Sequence, residues 1–109
     1  MEINHLDELK SLIQKYKEQG IRYGKSPDFL LKRINASEEE VKMELSSLIN
    51  LEHVEKQVKG GETRYVLFFV YDRKKGRQYV LAFKDKLVVI TVFPLGKRTL
   101  LRYRKKRFI

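Results

Sequence analysis

The spacing of apolar residues predicts an α+β fold: three N-terminal helices followed by a four- to five-stranded antiparallel β-meander. Three observations carry this. As far as Asn50, apolar residues recur every three or four positions. From Val54 onward they alternate or run together, as strands require. The links between those strands are short and polar: Gly60-Gly61, Arg73-Lys74-Lys75-Gly76 and a tight turn at Asp85. Short links favour antiparallel neighbours over crossovers.

The first helix is expected from about Asn4 to Gln19. Asn4 stands as N-cap, Asp7 complements the positive helix end, and Gly20 stops it. Leu6, Leu9, Leu12, Ile13 and Tyr16 form its apolar stripe. Ile21 to Lys25 is a connector or one short strand. Ser26-Pro27 opens the second helix, with Ser as cap and Pro preorganised for the first position. Phe29, Leu30 and Ile34 supply its buried side. After a break at Asn35-Ala36, Ser37-Glu38-Glu39-Glu40 reads as a capping box for the third helix. Val41, Leu45, Leu48 and Ile49 are its core positions.

Val54, Lys56 and Val58 alternate with Glu55 and Gln57 in the first strand of the meander. Gly60-Gly61 signals a hairpin. Arg64–Asp72, Arg77–Lys84 and Lys86–Phe93 are the next three strands, and Pro94-Leu95-Gly96 ends the last of them. Thr99–Arg104 reads as a final basic strand, with Lys105–Ile109 fraying beyond it. No linker or repeat divides the chain, so residues 1–109 are expected to form one domain, with a helical part (1–52) and a basic meander (53–109). The helical stripes would cover one face of the sheet.

Composition narrows the function classes. The 109 residues are 42% apolar and 35% charged, as in a soluble globular chain. There is no cysteine, which excludes a disulfide scaffold, a thiolate metal site and a Cys nucleophile. His5 and His53 are too few for a multi-histidine metal site. No phosphate-loop or dinucleotide motif is present, so neither metal nor cofactor is expected. No apolar run approaches ~18 residues, and the first ten residues are too polar for a secretory signal. The expected location is the cytoplasm, away from any membrane.

The strongest feature is charge. The chain carries 24 Lys and Arg against 14 Asp and Glu, a net +10. Residues 1–60 hold 10 cations and 11 anions, a net −1. Residues 61–109 hold 14 cations and 3 anions (Glu62, Asp72 and Asp85), a net +11. A one-sided surplus of this kind predicts a polyanionic partner, RNA or DNA. The candidate contacts are Arg64, Arg73, Lys74, Lys75 and Arg77, then Lys97, Arg98, Arg102, Arg104, Lys105, Lys106 and Arg107. Arginine suits phosphate because its planar fork holds two oxygens. As a strand, Arg102 and Arg104 would share a face, as would Arg77 and Tyr79. Two competing accounts stand beside this one. Cationic strands also keep sheet edges soluble, and Arg102–Arg107, five cations in six residues, reads equally as a solvated tail. An acidic protein partner and a homodimer paired through the last strand complete the expectations.

Two resemblances follow. Phe29–Leu67 resembles a winged helix-turn-helix. Leu30 and Ile34 match its second helix, Ala36-Ser37 its turn, and Val41, Leu45 and Leu48 its third helix. Val54 opens the wing, Gly60-Gly61 forms its tip, and Tyr65-Val66-Leu67 returns. The resemblance implies a DNA-binding regulator. Its third helix would enter the major groove, but here Glu38, Glu39 and Glu40 stand where phosphates would be met.

Residues 28–107 resemble the RelE/barnase-like ribonuclease superfamily, which includes many small toxin-like proteins. The likeness rests on a helix ending Lys32-Arg33 and a second opening Ser37-Glu38-Glu39-Glu40-Val41. It continues in strands at Arg64–Leu67, Gly76–Leu81 and Val88–Phe93, and in the basic Arg102-Tyr103-Arg104. Asp28-Phe29 stands where many relatives open a helix with histidine. The resemblance implies a metal-independent endoribonuclease in which the 2′-OH attacks the adjacent phosphate. Arg77, Arg102, Tyr103 and Arg104 are the residues set against that role. The sequence leaves open whether the chain cuts RNA or only binds it.

Overall fold

The fold is that of a computed structural model, which describes residues 5–107, with side chains as far as Arg102. Helix α1 spans His5–Tyr16 and tightens into a 3-10 turn at Lys17–Gln19, within the stretch read as one helix. Its expected cap, Asn4, lies outside the described residues. Strand β1 covers Ile21–Tyr23, so the connector is a strand. Helix α2 spans Pro27–Ile34 with Pro27 at its start, but the Ser26 side chain makes no capping bond. Only its carbonyl serves, accepting from the Leu30 N–H at 3.2 Å.

Helix α3 spans Glu38–Ser47. Of the two bonds of the predicted capping box, the one to Ser37 Oγ forms, donated by the Glu40 N–H at 3.2 Å. The helix ends at Leu48, whose φ of 55° is left-handed. That conformation costs a leucine roughly 1–2 kcal/mol. The Leu48 N–H bond to the Glu44 carbonyl at 2.9 Å and packing against the core offset it.

Four strands follow: β2 (Leu51–Lys59), β3 (Glu62–Val70), β4 (Gly76–Phe83) and β5 (Leu87–Leu95). They form the expected meander, and β1 joins it at the β5 edge. The sheet order is β1-β5-β4-β3-β2. β1 runs parallel to β5, Ile21 opposite Leu87, so the sheet is mixed where a wholly antiparallel one was expected. Gly60 and Gly61 both have positive φ, at 60° and 79°. That is the two-residue turn whose twist suits a hairpin, and it sets Lys59 opposite Glu62.

Helices and sheet share one core. Leu9 and Ile13, Leu30 and Ile34, Val41 and Leu45 pack on Tyr65, Leu67 and Phe69 of β3 and on Tyr79 and Leu81 of β4. On β5 the inward positions are Leu87, Val89 and Val92. The step from 89 to 92 breaks the period of two because a bulge there sets Val80 opposite Thr91 and Leu81 opposite Val89. Three residues expected on buried faces lie outside the core, and Leu6 of α1 is one of them. Ile49 is 82% exposed, and Phe29 is 52% exposed with the Arg33 guanidinium 4.5 Å over its ring.

The C-terminal segment departs most from expectation. Thr99–Arg104 is not a strand but part of helix α4, Lys97–Arg107. β5 also runs on through Pro94 to Leu95. β1 reaches only to Val89, so Pro94 has a neighbour on one side alone and its missing N–H is tolerated. Beside β5 only the stretch beyond Val89 is open to a further strand, and Pro94 offers no N–H there. β1 takes one stretch of that edge, and Arg33 donates to Val92 O and Thr91 Oγ1 on the next, both at 3.3 Å. Lys, Arg and Leu are good helix formers, and the Leu100 side chain is buried. The expected dimer edge at the last strand therefore does not exist; the outermost strands of the sheet are β1 and β2.

Candidate nucleic-acid interface

The sheet register places the expected cations. Gly76 pairs with Val70 on one side and Leu95 on the other. The β3–β4 turn and the start of α4 therefore project from the same end of the sheet. Arg73, Lys74 and Lys75 lie on that turn, and Lys97 and Arg98 open α4; all five are exposed. Among the described residues none of the five makes an ion pair. The turn is well held. Asp72 Oδ1 accepts the backbone N–H groups of Lys74 at 2.7 Å and Lys75 at 2.8 Å. The Tyr71 N–H donates to the Lys75 carbonyl at 3.0 Å. The three cations thus ride on a fixed backbone.

Other expected contacts are elsewhere. Arg64 lies near the diglycine, at the opposite end of a strand roughly 25–30 Å long. There it is tied to Glu62 at 3.0 Å, which also takes Lys84 at 3.2 Å. Arg102 is exposed on α4. The side chains of Tyr103, Arg104, Lys105, Lys106 and Arg107 lie outside the described ones. Residues two apart on a helix do not share a face, so the strand-based reason for joining Arg102 to Arg104 is gone.

Arg77 is engaged within the protein. Its Nη1 donates to Glu44 Oε1 at 3.0 Å, and the two side chains are only 15% and 13% exposed. The Tyr79 hydroxyl donates to the same oxygen at 2.5 Å. The Tyr71 hydroxyl donates to the other oxygen, Glu44 Oε2. Arg77 also lies over the Tyr71 ring, 5.5 Å from its centre. One carboxylate of α3 thus gathers three donors from the sheet.

The sheet divides the expected catalytic set. Arg77 faces α3, on the side of Tyr79 and Leu81. A Cβ on Gly76, one residue earlier and so on the other face, would meet Leu100 Cδ2 at 3.3 Å. It would also meet the Phe69 carbonyl oxygen at 2.5 Å, so only glycine fits there. α4 therefore packs on the face away from Arg77, and Arg77 does not converge with Arg102 on one cleft.

Burial, then the Glu44 carboxylate, pushes the phenols of Tyr79 and Tyr71 well above their usual range. Burial lowers the pKa of Arg77, but Glu44 together with Tyr71 and Tyr79 outweighs it and the net shift is upward. Burial and Glu8 push Tyr65 up to about 12. The sign of the linkage follows. An unfolded tyrosine titrates near 10, so above about pH 10 the unfolded chain loses protons that the folded chain keeps. Stability from these groups is full below about pH 10 and declines above it, the Tyr65 share being lost as pH rises through about 12 and the shares of Tyr71 and Tyr79 later still. Urea unfolding followed by circular dichroism between about pH 9 and 12 is expected to show this decline; a flat profile would refute the arrangement.

Glu44 carries the cluster, yet the sequence reading passed it over. A signal existed. Positions 41, 44, 45 and 48 are one helical stripe, and Val41, Leu45 and Leu48 fill the other three. A carboxylate on such a stripe calls for a partner from across the core. Arg33 was also missed, since its targets lie 58 and 59 residues along the chain.

Compared with protein-family profiles, curated proteins and solved structures, the chain matches none of them. No helix among the described residues is long and apolar enough to cross a membrane.

Proposed function

We propose that this chain binds RNA through its phosphate backbone, using the exposed cations of the β3–β4 turn and the first turn of α4. The observation that carries the reading is the meeting of Arg73, Lys74, Lys75, Lys97 and Arg98 at one end of the sheet, with no ion pair among the described residues. Lys97 and Arg98 also stand at the positive end of α4, which has no acidic residue in its first turn. Cations there oppose the helix dipole at a cost of about 0.3–1 kcal/mol each. A bound polyanion relieves that repulsion.

Backbone contact is favoured over groove reading. The first turn of α3, which would enter the groove in a winged-helix regulator, exposes Glu38, Glu39 and Glu40. Cleavage is the stronger form of the reading. It would need a cation on the reacting phosphate, and Arg77 is held by Glu44 on the face away from α4. We therefore assign the exposed cations to binding. Incubation of RNA with the protein in EDTA reads the alternative directly, since intact RNA leaves binding alone.

The test of binding is salt dependence. Anisotropy of labelled single-stranded RNA and of duplex DNA, titrated between about 50 and 300 mM salt, is expected to give a slope of log K against log salt near −3.5 for RNA, about −0.7 per phosphate contact. A slope near zero would overturn the reading in favour of an acidic protein partner.

A further inference from the structure

A cavity of about 200 Å³ opens between the 3-10 turn, β1 and α3, and shares no residue with the basic end of the sheet. Its floor is apolar. Ile13, Leu45 and Leu87 are buried there, and Ile21 is half-buried. Its rim carries charges of both signs: Lys17 and Lys42, Glu38 and Glu39. None of these four makes an ion pair among the described residues. The Tyr23 hydroxyl at the wall makes no hydrogen bond to another described residue. Burial and the nearby Glu38 carboxylate raise its pKa, so it keeps its proton and remains a donor.

This is a small concave site with an apolar base and a few converging polar groups, the usual form of a small-molecule pocket. Drug-sized ligands take clefts of roughly 300–1,000 Å³, so a smaller molecule suits it. An ammonium group is met by the two carboxylates. A carboxylate is met by the two lysines. An apolar side chain between them is met by the floor.

We propose that this cavity binds a free α-amino acid with an aliphatic or aromatic side chain. The ammonium lies against Glu38 and Glu39, the carboxylate against Lys17 and Lys42, and the side chain over Ile13, Leu45 and Leu87. The rim charges are solvated, so binding is of ordinary strength, with Kd of about 0.1–1 mM. The site is independent of RNA binding.

Titration of the ¹⁵N-labelled chain with L-leucine and L-phenylalanine, followed by amide shifts, tests it. Shifts are expected to centre on Gly20, Tyr23 and Lys42. N-acetyl-L-leucine and L-leucinamide, each lacking one charge, are expected to bind about tenfold more weakly, the loss of one charge-assisted contact. The double variant Glu38→Gln, Glu39→Gln is expected to weaken L-leucine by a similar factor and leave N-acetyl-L-leucine unchanged. Lys42→Gln is expected to act likewise against L-leucinamide. These rim positions are exposed, so the variants keep the fold. No shift at about 10 mM ligand, or equal shifts from free and blocked forms, overturns the proposal.

Discussion

Glu44→Ala is expected to destabilise the fold by about 3 kcal/mol, the lower end of the cost of breaking a buried ion pair. The lower end applies because Arg77 and Glu44 keep slight solvent contact, 15% and 13%. Most of the loss comes from what is left behind. The Tyr79 residue is fully buried, and its hydroxyl would lose its acceptor together with the Arg77 guanidinium. At roughly 4–8 °C per kcal/mol for a chain near this size, the melting temperature should fall by about 12 °C or more. Glu44→Gln keeps an acceptor oxygen and should lose about half as much. Adding Arg77→Met to Glu44→Ala should recover part of the loss, since the stranded charge is removed. A loss below about 1 kcal/mol in Glu44→Ala, measured by urea unfolding, would show that the three donors find water as readily as the carboxylate.

Replacing Arg73, Lys74 and Lys75 together with Ala should lower RNA affinity about a hundredfold at about 0.1 M salt and flatten the salt slope by about 2. The reasoning is electrostatic. Each phosphate contact contributes about 0.7 to the slope for a single strand, and these three cations ride on one turn. The turn itself should survive, because Asp72 accepts backbone N–H groups that Ala retains. Arg64→Ala and Lys84→Ala serve as controls. Both side chains are tied to Glu62 at the opposite end of the sheet and should leave affinity within about twofold. Equal losses from the two sets would mean that net charge, not a docking patch, drives binding.

Much of the fold was legible from nearby residues. Ser37 capping α3, Pro27 opening α2 and the diglycine hairpin are each decided within four positions of the chain. The inward faces of β3 and β4 followed from alternation. The candidate site was half legible. The surplus of cations downstream of Gly61 was plain in the sequence, and so was the exposed turn at Arg73–Lys75. What could not be read was which cations are already engaged. Arg77 looked as free as Arg73, yet its partner Glu44 lies 33 residues back.

Local chemistry determined the helix starts, the hairpin turn and the period of each strand, because those depend on backbone geometry and on neighbours a few residues away. Tertiary structure alone decided three things. It set β1 parallel to β5, it turned the last basic segment into a helix, and it set Arg77 against Glu44. Each depends on which edge, face or charge remains unoccupied after distant segments have packed together. Residues 97–107 could alternate like a strand, but with β1 and Arg33 on the β5 edge and no N–H at Pro94 they satisfied their own backbone as a helix.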